Sequence, residues 1–363
     1  MARAGRSLPS SSLGIGVVGL GYWGPNLVRN LADLDVCSLA AVCDLRPDRV
    51  EGVVRRYPAV RGYLTYEELL ADADVDAVLI ATSVSTHAPL ASAALAAGKH
   101  VFVEKPLATT SKSALALCEE AERLGLVLMP GHTFLYSPPV NVIRELITSG
   151  ELGEIYFISA SRVNLGLHQS DVSIVWDLGP HDFSILQYWL DDTPASVLAS
   201  SRGCVMPDVP DVAFISLTFP SGTIAHVELS WLAPSKLRRT AIVGSQKMVV
   251  YDDTSNEPVR IFDSGVVLPD PRTFGEYKLT YRTGEIVSPP VSPLEPLSLE
   301  LRDFCESILE SREPVSSARL GVDVIRVVEA VERSLAARAA VSLESDPRSS
   351  EGRRASETAR LHQ

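Results

Sequence analysis

Cysteine is scarce and scattered in this chain: Cys37, Cys43, Cys118, Cys204 and Cys305 make an odd count with no CxxC pair. That argues against a disulfide framework or a structural zinc site and fits a reducing compartment, the cytoplasm. Cys43, closing an apolar run, reads as a small core residue. Long hydrophobic runs are also missing. None approaches the roughly 18 residues of a membrane span, so no membrane partner is expected. Positive charge is in deficit: the formal net charge is -12, which disfavours nucleic acid as a partner. No helix-turn-helix signal and no internal repeat is present. Residues 1–12 lack the apolar segment and cleavage site of a signal peptide and read as a disordered leader.

What is present points to two cores. With 363 residues, 46% of them hydrophobic, the chain is too long for a single hydrophobic core. Residues 13–131 alternate short apolar strands (Leu39–Asp44, Val75–Thr82, His100–Glu104, Val127–Gly131) with helices (Asn26–Leu34, Pro47–Tyr57, His87–Ala97, Ser111–Leu124). That alternation predicts an α/β fold, a Rossmann-type doubly wound parallel sheet with its ligand beyond the strands' carboxyl ends. Residues 132–340 are strand-rich between a few helices, which predicts an α+β domain on a large, mostly antiparallel open sheet. Within it Asp211–Pro220 and Thr223–Trp231 flank Ser221-Gly222 as a hairpin. Residues 341–363 have no apolar periodicity and read as a disordered tail.

The stretch that organises the chain is GIGVVGLGYWG, Gly14–Gly24, with Pro25 behind it. Its Gly19-x-Gly21-x-x-Gly24 spacing suits a tight turn, a close approach of backbone N–H groups to a pyrophosphate, and tight helix–strand packing. Tyr22 and Trp23 lie inside that turn and are counted with the cofactor site. Asp44 follows Gly24 by 20 residues and ends the second strand, where a carboxylate accepts from ribose hydroxyls and repels a 2′-phosphate. NAD(H) is therefore favoured, with NADP(H) the alternative if Arg46 pairs with such a phosphate. Thr82, Ser83 and Thr86 sit at the same sheet edge, as cofactor contacts or as helix caps. His87 is read as a cofactor contact or a helix start.

Two further motifs carry the chemistry. Glu104-Lys105-Pro106 closes a strand with a lysine that the proline restrains, placed to polarise a hydroxyl or relay its proton, or simply to sit in a turn. Asp177-x-x-x-His181 puts a carboxylate and an imidazole on one helix face, as a proton acceptor with its orienting group or as a helix-face ion pair. His168 and Asp171 offer no recognised metal spacing beside it, so no metal is expected.

Taken together, GVVGLGYWG at Gly16–Gly24, EKPLA at Glu104–Ala108 and DLGPHD at Asp177–Asp182 resemble the glucose–fructose oxidoreductase, inositol dehydrogenase and MocA-type family in order and spacing. The resemblance covers roughly residues 13–340. It implies a cis peptide before Pro106, with Glu104 and Lys105 beside the cofactor. It also implies catalytic positions at Lys105 (bonding the reacting oxygen), Asp177 (tuning the histidine) and His181 (proton acceptor). Assembly as a homodimer or homotetramer through the second domain's sheet follows from the same likeness. Lys105, His132, Arg162, Asn164, Trp176, His181 and Trp231 are the expected substrate-side groups, with Lys236 and Arg238 as further candidates. Two places depart from the commonest pattern: Trp176 precedes Asp177 where glycines often stand, and Gly131-His132-Thr133-Phe134 replaces a more basic run.

The expected activity is hydride transfer between nicotinamide and a secondary alcohol or ketone of a sugar, foremost a nucleotide-linked hexose in polysaccharide or secondary-metabolite synthesis. The alternatives are an inositol, other cyclitol or free-sugar dehydrogenase, an NAD-dependent glycosidase, and a non-catalytic dinucleotide-binding regulator.

Overall fold

A computed structural model describes residues 13–166, 172–267 and 280–343. The expected leader 1–12, residues 344–363 of the expected tail, and His168 and Asp171 lie outside the described residues. Contacts divide the chain into two units, 1–133 with 294–325 and 134–293 with 326–363.

The first unit begins with β1 (Leu13–Val18), α1 (Gly24–Asp33), β2 (Cys37–Cys43), α2 (Pro47–Arg56), β3 (Arg61–Tyr63) and α3 (Tyr66–Ala71). It continues through β4 (Ala77–Ile80), α4 (Val84–Ala96), β5 (His100–Glu104), α5 (Ser111–Leu124) and β6 (Leu128–Gly131). Every strand pair is parallel and the order is β3-β2-β1-β4-β5-β6. All six residues of β1 and all four of β4 are buried, as strands covered on both faces must be, which is why they read as continuous apolar runs. The helices stop where their chemistry says. Thr110 caps α5 by accepting from Ser113 N at 3.2 Å, and Gly125 ends it at φ 66°.

The second unit holds α6 (Pro138–Thr148), β7 (Ile155–Leu165), α7 (Ile174–Leu190) and β8 (Ser196–Arg202), then β9 (Val212–Thr218), β10 (Ile224–Ser230) and β11 (Leu232–Gly244). β12 (Met248–Asp252), β13 (Val259–Val267) and β14 (Thr280–Val287) follow. Their sheet runs β14-β13-β12-β11-β7-β10-β9-β8-β15, where β15 is Val341–Ser342. Among the described residues β7 and β10 alone pair in parallel; the remaining pairs of this sheet are antiparallel. Here burial alternates: Ala213, Ile215 and Leu217 of β9 are buried, while Phe214 is 43% exposed. One face packs on helices, and the other displays Phe157, Leu198, Phe214 and Ile224 to solvent.

The return of α8 (Pro296–Leu309) and the start of α9 (Ala318–Ala337) to the first unit corrects the expected unbroken second domain. α8 is anchored there by Arg29 and Asn30 on Glu295, by Arg302 on Asp35, and by Phe304 edge-on to Phe102. Three smaller expectations are also corrected. α4 begins at Val84, before His87; β3 escaped notice because its three residues carry no buried side chain; and Val341–Ser342 pair with β8 where the tail was expected to lack structure.

Candidate active site

In the first unit the glycine turn does what its spacing requires. Gly19 adopts φ 89°, and a Cβ on it would meet Ala81 O at 2.6 Å. A Cβ on Gly24 would meet Gly19 O at 2.0 Å, so α1 can start this close to β1 only with glycine there. Gly21 differs: a Cβ there would meet nothing nearer than Arg49 Nη1 at 3.9 Å. The chain's own packing does not demand that glycine, and the open space beside the N-terminus of α1 fits a dinucleotide pyrophosphate. Tyr22 and Trp23 stand exposed at the turn, edge to face.

Asp44 ends β2 and is buried against the turn. Its Oδ2 accepts from Leu20 N at 2.7 Å and its Oδ1 from Arg46 N at 2.9 Å, with Arg49 Nη1 at 3.2 Å. Burial works against the charge, but the two backbone donors and the Arg49 guanidinium outweigh it and hold the carboxyl below its ordinary range. Arg46 turns outward and forks onto Asp48 at 2.6 and 3.2 Å. Its guanidinium is therefore engaged away from Asp44, which favours the NAD(H) reading over a 2′-phosphate contact.

At the edge formed by β4 and β5, Thr82 Oγ1 bonds Thr86 Oγ1 at 2.7 Å, and Thr86 donates to Ser83 O. Ser83 is the N-cap residue of α4 without a side-chain cap bond. His87 is 1% exposed, with Nδ1 2.8 Å from Pro106 O and Nε2 3.2 Å from Thr82 O. Burial pushes its pKa down despite both carbonyls, so the ring is neutral and its single N–H donates to one of them while the other nitrogen only faces the second. A buried ring with both nitrogens turned to backbone carbonyls corrects its expected place as a cofactor contact. The peptide between Lys105 and Pro106 is cis, as the resemblance implied. Glu104 pairs with Gly131 across β5 and β6, and burial pushes its carboxyl up to about 7 against the pull of Lys105. His132 is 1% exposed with neither ring nitrogen bonded, and burial, then Lys105, pushes it down to about 3. His132 is thus a buried neutral ring whose two nitrogens have no protein partner among the described residues.

The second unit assembles the other motif on α7. Ser173 caps it by accepting from Trp176 N at 3.4 Å, and Asp177 and His181 follow one turn apart. Asp177 Oδ2 accepts from Trp231 Nε1 at 3.2 Å, and Trp231 is 2% exposed. Trp231 thus supports the carboxylate from behind, which corrects its expected place on the substrate side. Trp176 is directed to Glu332 through its Nε1. Arg162, also expected on the substrate side, is 5% exposed and bidentate on Asp182 at 2.7 and 3.2 Å, a further correction. Its guanidinium carbon lies 4.6 Å over the Phe134 ring, Arg238 lies 5.8 Å over the same ring, and Phe134 meets His181 edge to face at 5.0 Å. Asn164 is half-buried near Trp231. Among the described residues no cluster of three metal-ligating side chains occurs.

A parallel sheet in this order, with a glycine turn and an acid closing its second strand, defines an NAD-binding dinucleotide domain. Residues 13–132 match the oxidoreductase family with an NAD-binding Rossmann fold, and residues 140–250 match the GFO/IDH/MocA C-terminal domain. The chain belongs to the GFO/IDH/MocA family and is an NAD(P)-dependent dehydrogenase acting on CH–OH groups. It is 26% identical over 341 residues to myo-inositol 2-dehydrogenase of Thermotoga maritima, covering 91% of this chain and 98% of that protein. UDP-N-acetylglucosamine 3-dehydrogenase GnnA from Acidithiobacillus ferrooxidans superposes with a TM-score of 0.77 at 26% identity, covering 90% of this chain and 99% of the other. GenD2 from gentamicin A biosynthesis, in complex with NAD, shares the fold with a TM-score of 0.78 at 24% identity, covering 95% and 100%.

The residues that sequence reading missed are Glu300 and Asp182. Glu300 left a signal: it falls on the apolar stripe of α8 formed by Leu297, Leu301 and Phe304, where a carboxylate is out of place. Asp182 left none, because only folding pairs it with Arg162.

Proposed function

We propose that this dehydrogenase oxidises a secondary alcohol of a nucleotide-linked hexose, or reduces the matching ketone, with NAD(H). What supports the reading is the presence of residues with proton-handling chemistry in each unit: Lys105 at the carboxyl end of β5 in the first, and in the second Asp177 one turn before His181 on α7, its carboxylate bonded by a buried tryptophan. A non-catalytic regulator has no use for that set. The relative that acts on a UDP-linked sugar, 29% identical over 242 residues, favours a nucleotide-linked substrate. The inositol dehydrogenase, matched over 91% of this chain, favours a cyclitol as the second reading.

NAD supplies the hydride acceptor when bound, held by the Gly19–Gly24 turn and by Asp44. In this reading His181 accepts the hydroxyl proton as the carbonyl forms, and Asp177 orients the imidazole and stabilises its protonated form. Lys105 donates a hydrogen bond to the reacting oxygen, favouring the developing negative charge. The exposed sheet face around Phe214 and Ile224 pairs with a second copy, so the working form is a homo-oligomer, acting in the cytoplasm.

The test is reduced-nicotinamide absorbance with NAD and NADP separately, across nucleotide sugars, free sugars and inositols. Reduction with a nucleotide sugar and NAD supports the reading; turnover confined to inositols overturns it in favour of the second. With the active substrate, Lys105→Ala and His181→Ala should lower turnover by a factor of about 100 or more with NAD affinity kept. Near-full activity in both would remove them from the mechanism.

A further inference from the structure

In the second sheet Arg162 on β7 and Arg238 on β11 stand directly opposite each other. Like charges in that register repel, so each needs a counter-charge. Arg162 has Asp182, bonded in a fork at 2.7 and 3.2 Å, and Arg238 has Asp253 at 3.0 Å. Both guanidiniums also lie over one aromatic ring, that of Phe134, with their carbons 4.6 and 5.8 Å from its centre. An aromatic face is negative and attracts cations, so the two arginines fix the plane of that ring. The same ring meets the His181 imidazole edge to face, with centres 5.0 Å apart and planes at 72°. The contacts close a circuit. Asp182, which follows His181 on α7, holds Arg162; Arg162 holds Phe134; and Phe134 returns to His181. All of these residues belong to the second unit. Arg162 and Asp182 are buried, whereas Phe134 and His181 are half-buried, so the anchor of the circuit is dry and its other end is partly open to solvent.

We propose that Phe134 is the positioning residue of His181: a ring, fixed by the Arg162–Asp182 pair and by Arg238, that holds the imidazole in the orientation from which it accepts the substrate's hydroxyl proton. The inference rests on the reading that makes His181 the proton acceptor. Proton transfer needs the imidazole nitrogen within hydrogen-bond reach of the hydroxyl, and a half-buried histidine on a helix is otherwise free to turn between rotamers. Asp177 steers the ring from one turn before it on α7, with its own carboxylate tied to Trp231. Phe134, arriving from the short 3-10 turn Thr133–Tyr136, restrains the ring from a different part of the chain. It has no proton to give or take, so it acts only through the histidine. The circuit also gives the buried ion pair a use beyond stability. A pair of this kind is no sure gain over well-packed apolar residues, but a cation held against an aromatic face fixes that face as an apolar neighbour does not.

The test is a double-mutant cycle on the full-length protein with its active substrate, read as kcat, KM and NAD affinity, with thermal melts confirming that each variant is folded. Phe134→Leu removes the ring, and kcat is expected to fall about threefold to tenfold while KM and NAD affinity stay within about twofold. Phe134→Met takes its place in the cycle if the leucine variant does not fold. Phe134→Tyr keeps the ring and should keep kcat within about twofold. In a His181→Ala background Phe134→Leu should change nothing further, because a positioning residue has no effect once the group it positions is gone. Arg162→Met combined with Asp182→Leu should lower kcat as Phe134→Leu does, even with its melt close to that of the unsubstituted protein. Undiminished kcat in Phe134→Leu overturns the inference, as does a loss that recurs in full in the His181→Ala background. Unaffected kcat in the folded Arg162→Met, Asp182→Leu protein overturns the anchoring by the ion pair. Near-full turnover in His181→Ala is a different failure: it removes the histidine from the catalytic reading, and the inference with it.

Discussion

Trp231 donates its indole N–H to Asp177 Oδ2 at 3.2 Å, from the turn between β10 and β11 to the first turn of α7. The bond fixes the carboxylate one helical turn before His181, and a buried tryptophan with a committed N–H has little freedom to release it. Trp231→Phe keeps the ring and removes the donor. It should lower kcat/KM about tenfold, the worth of one hydrogen bond to a charged group, with NAD affinity unchanged. Steady-state kinetics and a cofactor titration read the two effects apart. Undiminished kcat/KM would mean that Asp177 needs no such support.

The Arg162–Asp182 pair makes a stability prediction of the opposite kind. Both side chains are nearly inaccessible and bond in a fork, so removing one partner strands a buried charge. Asp182→Asn should cost about 3–5 kcal/mol, read as a drop in the denaturation midpoint. The double variant Arg162→Met with Asp182→Leu should recover most of that loss. A double variant as unstable as the single one would show that the charges themselves, and not their pairing, are indispensable.

These two sites also show where the sequence is legible. The glycine turn, Asp44, Lys105 and the Asp177–His181 spacing were readable because each is local: a turn, a strand end, a helical period. Arg162 and Trp231 were recognisable as polar or aromatic groups near the second motif, but their partners lie 20 and 54 residues away on α7, and only the packing of that helix on the sheet brings them together. His87 and His132 looked like site residues because histidine is chemically versatile. Burial against carbonyls in one case and beneath the sheet edge in the other is a property of packing that no spacing encodes. The first sheet was legible because buried parallel strands are continuously apolar. β13 and β14 were not, since their residues are mixed and half-exposed.

In the proposed reading Asp44 sets the cofactor preference through charge. With the carboxyl held below its ordinary range by Arg46 N, Leu20 N and Arg49, it is ionised at any pH where the protein works, and a 2′-phosphate beside it is repelled. Asp44→Ala should weaken NAD(H) binding and raise the ratio of NADP(H) to NAD(H) affinity by about tenfold or more, with Arg49 freed to meet the phosphate. Fluorescence titration with NADH and NADPH measures the ratio directly. Unchanged affinities for both cofactors would remove Asp44 from the site.

Glu300 gives the stability of the first unit a pH dependence whose sign can be worked out. Its carboxyl is raised above the unfolded value by burial first and by Glu104 second. An acid with a raised folded pKa contributes stability that is fully present below the unfolded pKa, and loses it as pH climbs toward the folded pKa. Glu300→Gln retains an oxygen to accept from Thr133 Oγ1 but has no proton to lose. The variant should melt near the unsubstituted protein at pH 4 and above it at pH 8, by on the order of 2–4 °C for each kcal/mol recovered. Thermal melts at the two pH values decide the matter. A variant that melts lower at pH 8 would mean that Glu300 is ionised in the fold and held by a favourable partner, contrary to its place on an apolar helix stripe.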